Sequence, residues 1–376
     1  MHPELSRLFR QLANRRLEAG LTVEQVERRL VLGPGWVEAF EGGDLEPTIG
    51  TLAALLHLYG TSLPKFFADL DLAGDGVVMD RHLTATQEDN ALRLHFPMGP
   101  YKASITIPDA TVKDFNSVVE VLRDKLADGQ KAEGIAASFL RAVRLWPHAN
   151  SSDLWYFLVA HAYQDDYNHP ASTAGTEWAQ SWKRASGWAF EVVVVEHYNP
   201  HLQEHGITLA LPSPQDRVAI LQRMGVPSAA QVAEKADVIA IGQDAQGAKL
   251  GLGVLHFKVS FAERRTDDVP LSQQLIARGY ASPLVTMDCK ASPSVSPVNK
   301  GELGAVQGGE ERVSAKRFDM EREKKFDACF SFNKNTRPTP PGQEAAARIH
   351  VVDFSDPDDA LSKHLISIWR SRQGLG

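Results

Sequence analysis

Cysteine is scarce in this sequence, and long apolar segments are absent. The 376 residues include only Cys289 and Cys329, whose separation matches no metal-ligand motif, and this excludes a cysteine-based metal site. No apolar run approaches the roughly 18 residues of a membrane-spanning helix, and the charged amphipathic start is unlike a signal peptide. So few cysteines are typical of a reducing compartment, and we expect a cytoplasmic protein.

Net positive charge is also missing. The chain has 40 Lys and Arg against 47 Asp and Glu, a formal net charge of −7, so its overall charge does not indicate nucleic-acid binding. The composition, 43% hydrophobic and 23% charged, is typical of a soluble globular protein. The length allows two or three domains, and we find no internal repeats.

Helical patterning dominates residues 1–72. Apolar residues recur at helical spacing from Leu5 to Leu17, and Thr22 with Gln25 forms a capping-box pattern that opens a second helix. Start and stop signals predict three more helices: Trp36 to Phe40 after a Gly-Pro-Gly turn, one from Thr48 that Gly60 ends, and one from Ser62. This order of helices and turns resembles the phage-repressor (Xre-type) helix-turn-helix family, which implies an all-α N-terminal domain.

The third helix departs from that family's pattern. In the family this helix lies in the DNA major groove, yet here it begins with Gly35-Trp36-Val37-Glu38 in place of Ser, Thr, Gln or Arg. Residues 1–72 carry seven Lys and Arg against ten Asp and Glu, a net charge of −3, whereas a phosphate-binding surface is basic. Contact with DNA and a role in dimerisation or protein contacts both stay open.

The rest of the chain divides into a connecting segment, 73–130, and a larger domain, 131–376. Residues 73–90 are interpreted as a linker. Two stretches of alternating pattern, 91–96 and 101–107, flank a Pro-Met-Gly-Pro turn and predict a β-hairpin, and an amphipathic helix follows to Leu126. In the larger domain, helical stretches alternate with short apolar strands.

An acid and a lysine occupy two predicted neighbouring strands. Asp237 lies in the apolar strand 236–241, a Gly-rich polar turn follows, and Lys258 lies in the strand 252–260. A hairpin of this kind places Asp237 beside Lys258 at one end of a sheet. Phosphodiester hydrolysis needs such an arrangement, because a carboxylate binds Mg²⁺ and a lysine stabilises charge on the phosphate. Alone, the pair is a weak signal, since a solvated strand edge would show the same residues.

The residues after the lysine strengthen the nuclease interpretation. The stretch from Lys258 to Pro270, KVSFAERRTDDVP, resembles the catalytic lysine and recognition segment of type II restriction endonucleases of the PD-(D/E)xK superfamily. It is most similar to the BsaWI-like branch that recognises CCGG, and the resemblance covers roughly 180–305. It implies that Glu263 with Arg264 or Arg265 reads C·G pairs. Arginine donates two hydrogen bonds to guanine, and a carboxylate accepts from cytosine N4.

The same resemblance implies the fold class and the roles around the catalytic pair. We expect an α+β protein with an α/β nuclease core, a mixed sheet flanked by helices. Asp237 would be a metal ligand, Lys258 the catalytic lysine and Glu191 an additional metal or supporting carboxylate. The family usually has an acid two residues before the lysine, but this sequence has His256 there, and imidazole is a poor Mg²⁺ ligand. The third carboxylate stays open among Glu191, Asp267 and Asp268, and His256 is a further catalytic candidate.

The resemblance also implies a cofactor and partners. We expect Mg²⁺ as the cofactor, double-stranded DNA as the substrate, and a homodimer whose two-fold axis matches a palindromic site. A cognate DNA methyltransferase is the expected partner in the same system. No membrane contact is expected.

Other interpretations of the sequence stay open. Asp288-Cys289-Lys290 is a second acid-x-lysine pattern after an apolar stretch. The residues from His201 to His205 match the HxxEH pattern of inverted zinc peptidases, on a short predicted helix that begins at Asn199-Pro200. A helix-turn-helix regulator with a ligand-sensing or dimerising C-terminal domain would need no metal. Basic residues between Arg312 and Arg337 suit either phosphate contacts or a helix with paired charges.

Overall fold

The structure, a computed structural model, describes residues 3–42, 45, 48–69, 77–79, 84–98, 101–162, 178–260, 267–289, 298–304 and 314–374. Contacts within the chain define two compact units, Met1–Val77 and Val78–Gly376. Across the described ranges, no helix is both long enough and apolar enough to span a membrane.

The N-terminal unit contains the five predicted helices. They are α1 (Pro3–Glu18), α2 (Val23–Leu30), α3 (Trp36–Glu41), α4 (Ile49–Leu58) and α5 (Leu63–Asp69). Thr22 and Gln25 form the predicted capping box of α2. In α3, Val37 and Phe40 are buried in the core of this unit, whereas Glu38 is exposed. The helix α3 contains no basic residue, and whether this unit contacts DNA stays open.

A four-stranded sheet begins the C-terminal unit. Its strands, in sheet order, are β1 (Val77–Met79), β2 (Thr84–Glu88), β3 (Ala91–Met98) and β4 (Tyr101–Pro108). Strands β3 and β4 form the predicted hairpin. The linker prediction is wrong for residues 84–88, which pair with β3 as β2. Ala85 is the buried residue of this short polar strand, so no alternating apolar pattern marked it.

Helices connect this sheet to a second, larger sheet. They are α6 (Val112–Ala127), α7 (Lys131–Leu145), α8 (Ser151–Tyr156), a π-helical turn (Phe157–Ala162) and α9 (Trp178–Glu204). Buried residues from both sheets and from these helices belong to one hydrophobic core. The described part of the predicted connecting segment from residue 84 onward is therefore packed into the C-terminal unit.

The larger sheet is mixed. Its strands are β5 (Ile207–Ala210), β6 (Val238–Gln243), β7 (Lys249–Lys258), β8 (Leu284–Thr286), β9 (Cys329–Ser331) and β10 (Ile349–Val351), in the order β10-β9-β8-β7-β6-β5. Strands β5, β6 and β7 are antiparallel, and β7 to β10 are parallel.

Helices cover both faces of this sheet. The remaining ones are α10 (Pro214–Arg223), α11 (Ala229–Val232), α12 (Val269–Ile276), α13 (Ala315–Glu321) and α14 (Ala360–Arg372). Leu255 of β7 packs into the core that includes α9. Val254, on the other face, packs into a separate cluster with α10 and α12. A strand buried on both faces is apolar throughout, and the fold is α+β as expected.

Candidate active site

The β6–β7 hairpin brings Asp237 and Lys258 together, as the sequence predicts. Asp237 directly precedes β6, Lys258 ends β7, and the strands pair antiparallel with Val238 opposite Leu255. Oδ2 of Asp237 accepts a hydrogen bond from the backbone N–H of Phe257 at 2.8 Å. This bond fixes the carboxylate beside the end of the strand that carries Lys258.

Glu191, on α9, adds a second carboxylate at this place. Burial and the charge of Asp237 raise the pKa of Glu191 to about 8. Burial also raises the pKa of Asp237 to about 6, although the charge of Lys258 opposes the rise. A bound cation would favour the ionised form of both groups, and carboxylate oxygens are the ligands that Mg²⁺ prefers. The pair therefore fits a magnesium ion.

The two carboxylates would not form a complete metal cage. Among the residues that the structure describes, no group of three or more His, Cys, Asp or Glu side chains is arranged to hold a metal. Magnesium sites commonly use one or two carboxylates and take their other ligands from water and substrate phosphates. A two-carboxylate site is thus compatible with a metal that acts on a phosphodiester.

Lys258 is held by Asp268, which directly precedes α12. The Nζ atom of Lys258 lies 2.6 Å from Oδ2 of Asp268, and Asp268 is 1% exposed. Burial alone would lower the pKa of Lys258, but the charges of Asp268, Asp237 and Glu191 raise it. The lysine therefore stays protonated, and of the acids considered for the third carboxylate Asp268 has the closest contact with it.

The two other candidates near the lysine have different surroundings. Oδ2 of Asp267 lies 3.9 Å from Nζ of Lys235, and its side chain is 36% exposed. His256 is fully buried, with Nε2 3.0 Å from Oγ of Ser282. Burial lowers the pKa of His256 to about 3. A neutral and enclosed imidazole favours a packing role for His256, and its part in catalysis stays a prediction.

The residues predicted to read bases, Glu263, Arg264 and Arg265, lie in 261–266, outside the described residues. The described residues on either side of this segment lie near Lys258. Ser260 lies two residues beyond Lys258, and Asp268 contacts its Nζ atom. The role of Glu263, Arg264 and Arg265 in recognition stays a prediction.

The rival acid, Asp288, is fully buried. Its Oδ1 accepts a hydrogen bond from the backbone N–H of Glu302 at 2.6 Å, and its Oδ2 accepts one from the hydroxyl of Thr336 at 2.6 Å. Burial raises the pKa of Asp288 to about 7. Lys290 lies outside the described residues. Asp288 anchors the loop 298–304, and its oxygens are already engaged.

The HxxEH pattern lies at the end of a long helix. Helix α9 continues through Pro200 to Glu204, so the predicted helix start at Asn199-Pro200 is wrong. Buried Tyr198 and Leu202 hold this part of the helix against the core. Nε2 of His201 lies 3.7 Å from a carboxylate oxygen of Asp358. The described residues thus give the zinc peptidase interpretation no support.

Several cations between Arg312 and Arg337 have carboxylate partners. Lys316 pairs with Glu302, Arg317 with Glu321, Lys325 with Asp319, and Lys334 with Asp353. Arg312 lies outside the described residues. The pairs favour the interpretation as paired charges over a row of phosphate contacts.

Arg217 is a neighbour of the site that the sequence did not reveal. It lies on α10, and its Nε donates a hydrogen bond to the carbonyl of Pro212 at 3.0 Å. Its charge opposes the rise in the pKa of both Glu191 and Asp237. No motif surrounds it in the sequence, because only the packing of α10 against the sheet brings it near these acids.

Comparison with known proteins identifies the family. Residues 5–65 match the family described as a helix-turn-helix domain. Over 243 residues, 62% of this chain and 83% of the relative, the sequence is 37% identical to the type II restriction enzyme AgeI of Thalassovita gelatinovora. The chain belongs to the type II restriction enzymes.

A solved structure of a restriction enzyme is similar to this one. The crystal structure of AgeI in a specific DNA complex matches with a TM-score of 0.62 and 33% identity, covering 73% of this chain and 99% of that chain. The pre-specific BsaWI–DNA complex has 16% identity and a TM-score of 0.35 over 69% of this chain and 95% of that chain, a likeness too weak to support an argument. As a type II restriction enzyme, the protein is a site-specific deoxyribonuclease. This membership decides against a regulator or a peptidase as its activity.

Proposed function

We propose that this restriction enzyme cuts both strands of double-stranded DNA at a palindromic site with a CCGG core, using Mg²⁺ and a PD-(D/E)xK-type active site. The observation that supports this most is the convergence of Asp237, Glu191 and Lys258 at one end of the β6–β7 hairpin. AgeI has been crystallised with DNA, which supports DNA as the substrate. The CCGG core rests on the resemblance of residues 258–270.

Each of these side chains has its own task in phosphodiester hydrolysis. Asp237 and Glu191 would hold the Mg²⁺, which when bound supplies positive charge against the phosphate. The ammonium of Lys258 stabilises the negative charge that grows on the phosphate as water attacks. Asp268 positions that ammonium and keeps it protonated. Because Asp268 contacts the lysine, we assign it, ahead of Asp267, as the acid that supports Lys258.

Base recognition is assigned to the segment after Lys258, and a homodimer is expected from the symmetry of the DNA site. Arg264 or Arg265 would donate to guanine, and Glu263 would accept from cytosine. A palindrome has two-fold symmetry, so a homodimer places one active site on each strand. A cognate DNA methyltransferase is the companion enzyme that we expect to modify the same site.

Digestion of plasmid DNA tests the proposal. The purified protein is incubated with a plasmid in Mg²⁺ and, as a matched control, in EDTA, and the fragment ends are sequenced. We expect discrete fragments only with Mg²⁺, and ends that map to palindromes containing CCGG. Intact DNA with every divalent metal would contradict the catalytic assignment. Fragments whose ends share no CCGG would contradict the recognition assignment alone.

A further inference from the structure

A cavity of about 610 Å³ lies at the opposite end of the β6–β7 hairpin from Asp237 and Lys258. Asp244 and Lys249, at the turn between the strands, line it. At about 3.3 Å per residue along β6, it lies roughly 20 Å from the catalytic pair. Its volume is in the range of small-molecule sites. It is therefore a separate feature of the nuclease unit.

Glycines in the sheet allow large side chains to form one wall of this cavity. Trp369 of α14 is 3% exposed and lies against Gly242, where an added Cβ would meet the indole ring at 2.5 Å. Met224 lies against Gly251, where an added Cβ would meet its sulfur at 2.7 Å. Tyr280 is a further lining residue. The wall is thus apolar and partly aromatic.

Cations line the rim of the same cavity. Arg223, Lys249 and Arg372 are lining residues, and within the described part of the chain none of them forms an ion pair. The guanidinium of Arg372 lies 3.9 Å from the centroid of the Tyr280 ring. Asp244, an acid in the lining, accepts hydrogen bonds from the backbone N–H groups of Gln246 and Ala248. Three cations against this one acid leave the lining with a net positive charge.

This rim differs from the basic region near α13. There, Lys316, Arg317 and Lys325 are neutralised by carboxylates. At the cavity, positive charge surrounds a concave apolar wall without such partners. Uncompensated cations around a concave site attract an anion, and the aromatic wall favours one that also carries a flat ring.

We propose that this cavity binds a nucleoside phosphate. The base would stack on the Arg372 guanidinium, which lies over the Tyr280 ring, since nucleobases stack on arginine planes. The phosphate would be held by Arg223 and Lys249, because arginine forms two parallel hydrogen bonds with phosphate and lysine supplies a point charge. A free nucleotide and a nucleotide unit of a DNA chain share this chemistry.

Calorimetric titration of the full-length protein in EDTA tests this binding. The probes are adenosine monophosphate, adenosine, inorganic phosphate and a short single-stranded oligonucleotide. We expect adenosine monophosphate to bind with one site per chain, at least about tenfold more tightly than adenosine or phosphate, because it engages both halves of the cavity. Binding of the oligonucleotide instead, if the rim variant below abolishes it, would identify the DNA chain as the source of the ligand.

Variants locate the site and separate this inference from the nuclease. The double variant Arg223→Ala/Lys249→Ala removes two exposed rim cations, and we expect about a tenfold or larger loss of affinity. Lys363→Ala, an exposed cation on α14, is the matched control and should bind as the wild type does. Plasmid cleavage should be unchanged in all of them. Three outcomes would overturn the inference: no probe binds, the double variant binds normally, or inorganic phosphate binds as tightly as adenosine monophosphate.

Discussion

Two buried aspartates, Asp237 and Asp288, lie at the same end of the larger sheet but differ in what surrounds them. Asp237 accepts one hydrogen bond, from Phe257, and shares its site with Glu191 and Lys258. Asp288 accepts bonds from Glu302 and Thr336 and holds a loop in place. Each is matched with a lysine later in the sequence, Lys258 on the partner strand for Asp237 and Lys290 two residues after Asp288.

The difference is the reason why we assign the active site to Asp237 and Lys258 and not to Asp288. A carboxylate whose lone pairs are taken by N–H and O–H donors has little left for a metal. A carboxylate with one donor and another acid nearby can gain from a cation. Both regions combine an acid with a lysine, at different spacings, and the packing around each acid decides whether a metal can use it.

The largest expected effect is on catalysis, at the lysine. Lys258→Met removes the ammonium from the site, and we expect cleavage to slow about a thousandfold, as when a preorganised charge donor is removed. Single-turnover cleavage of a duplex with the recognition site measures the rate. Lys249→Met, at the other end of the same strand, is the matched control and should cut at the wild-type rate. A Lys258→Met rate within tenfold of wild type would contradict the assignment.

The free energy of unfolding should depend more on Asp288 than on Asp237, whereas cleavage should depend more on Asp237. Asp288→Ala leaves the Glu302 N–H and the Thr336 hydroxyl without an acceptor, and each loss costs about 1–3 kcal/mol. We expect the free energy of unfolding to fall by about 3 kcal/mol. Asp237→Ala removes one bond together with a carboxylate that burial disfavours, so its change should stay within about 1 kcal/mol. Urea denaturation compares them, and a larger loss for Asp237→Ala would refute this part of the comparison.

A smaller effect on cleavage is expected from substitution of Asp268, the acid that contacts Lys258. Asp268→Asn removes the charge that positions Lys258. We expect cleavage to slow about 10- to 100-fold, which corresponds to the free energy of one or two hydrogen bonds in the transition state. The loss should grow at high pH, because the pKa of Lys258 falls without Asp268. Asp267→Asn is the matched control and should leave the rate and its pH profile unchanged. Equal effects of the two substitutions would show that contact with Lys258 is not what matters.

The affinity for Mg²⁺ should depend on pH. Burial raises the pKa of Glu191 to about 8 and that of Asp237 to about 6, so protons compete with the metal below these values. The Mg²⁺ concentration for half-maximal cleavage should therefore fall between pH 6 and pH 8, by up to about tenfold per pH unit. Glu191→Gln should flatten this dependence. A requirement for Mg²⁺ that is constant or rises over this range would argue against metal binding by these acids.

The sequence predicted those parts of the molecule that have a local signal. The capping box at Thr22, the β3–β4 hairpin and the placement of Asp237 beside Lys258 depend on residues that are close in the chain. Strand β2 was missed because its residues are mostly polar. The length of α9 was missed because Pro200 is usually a sign of a helix start.

Other features of the site depend on packing between distant elements. Arg217 reaches the acids only because α10 lies against the sheet, and Asp268 was one of several candidates until its contact with Lys258 separated it from Asp267. His256 occupies the position of a family acid, and only the fold shows that it is buried against Ser282. Contacts of this kind have no spacing rule that a single sequence can reveal.

The most direct test compares cleavage by Asp237→Asn and Asp288→Asn in Mg²⁺, expressed per folded molecule. Both substitutions keep the size of the side chain and one acceptor oxygen, so they differ mainly in which carboxylate is lost. We predict that Asp237→Asn cuts a CCGG-containing duplex at about a thousandth of the wild-type rate or less, since the several kcal/mol that a metal contributes would be lost. Asp288→Asn should cut at close to the wild-type rate. Normal cleavage by Asp237→Asn, or loss of cleavage only in Asp288→Asn, would contradict the assignment of the active site.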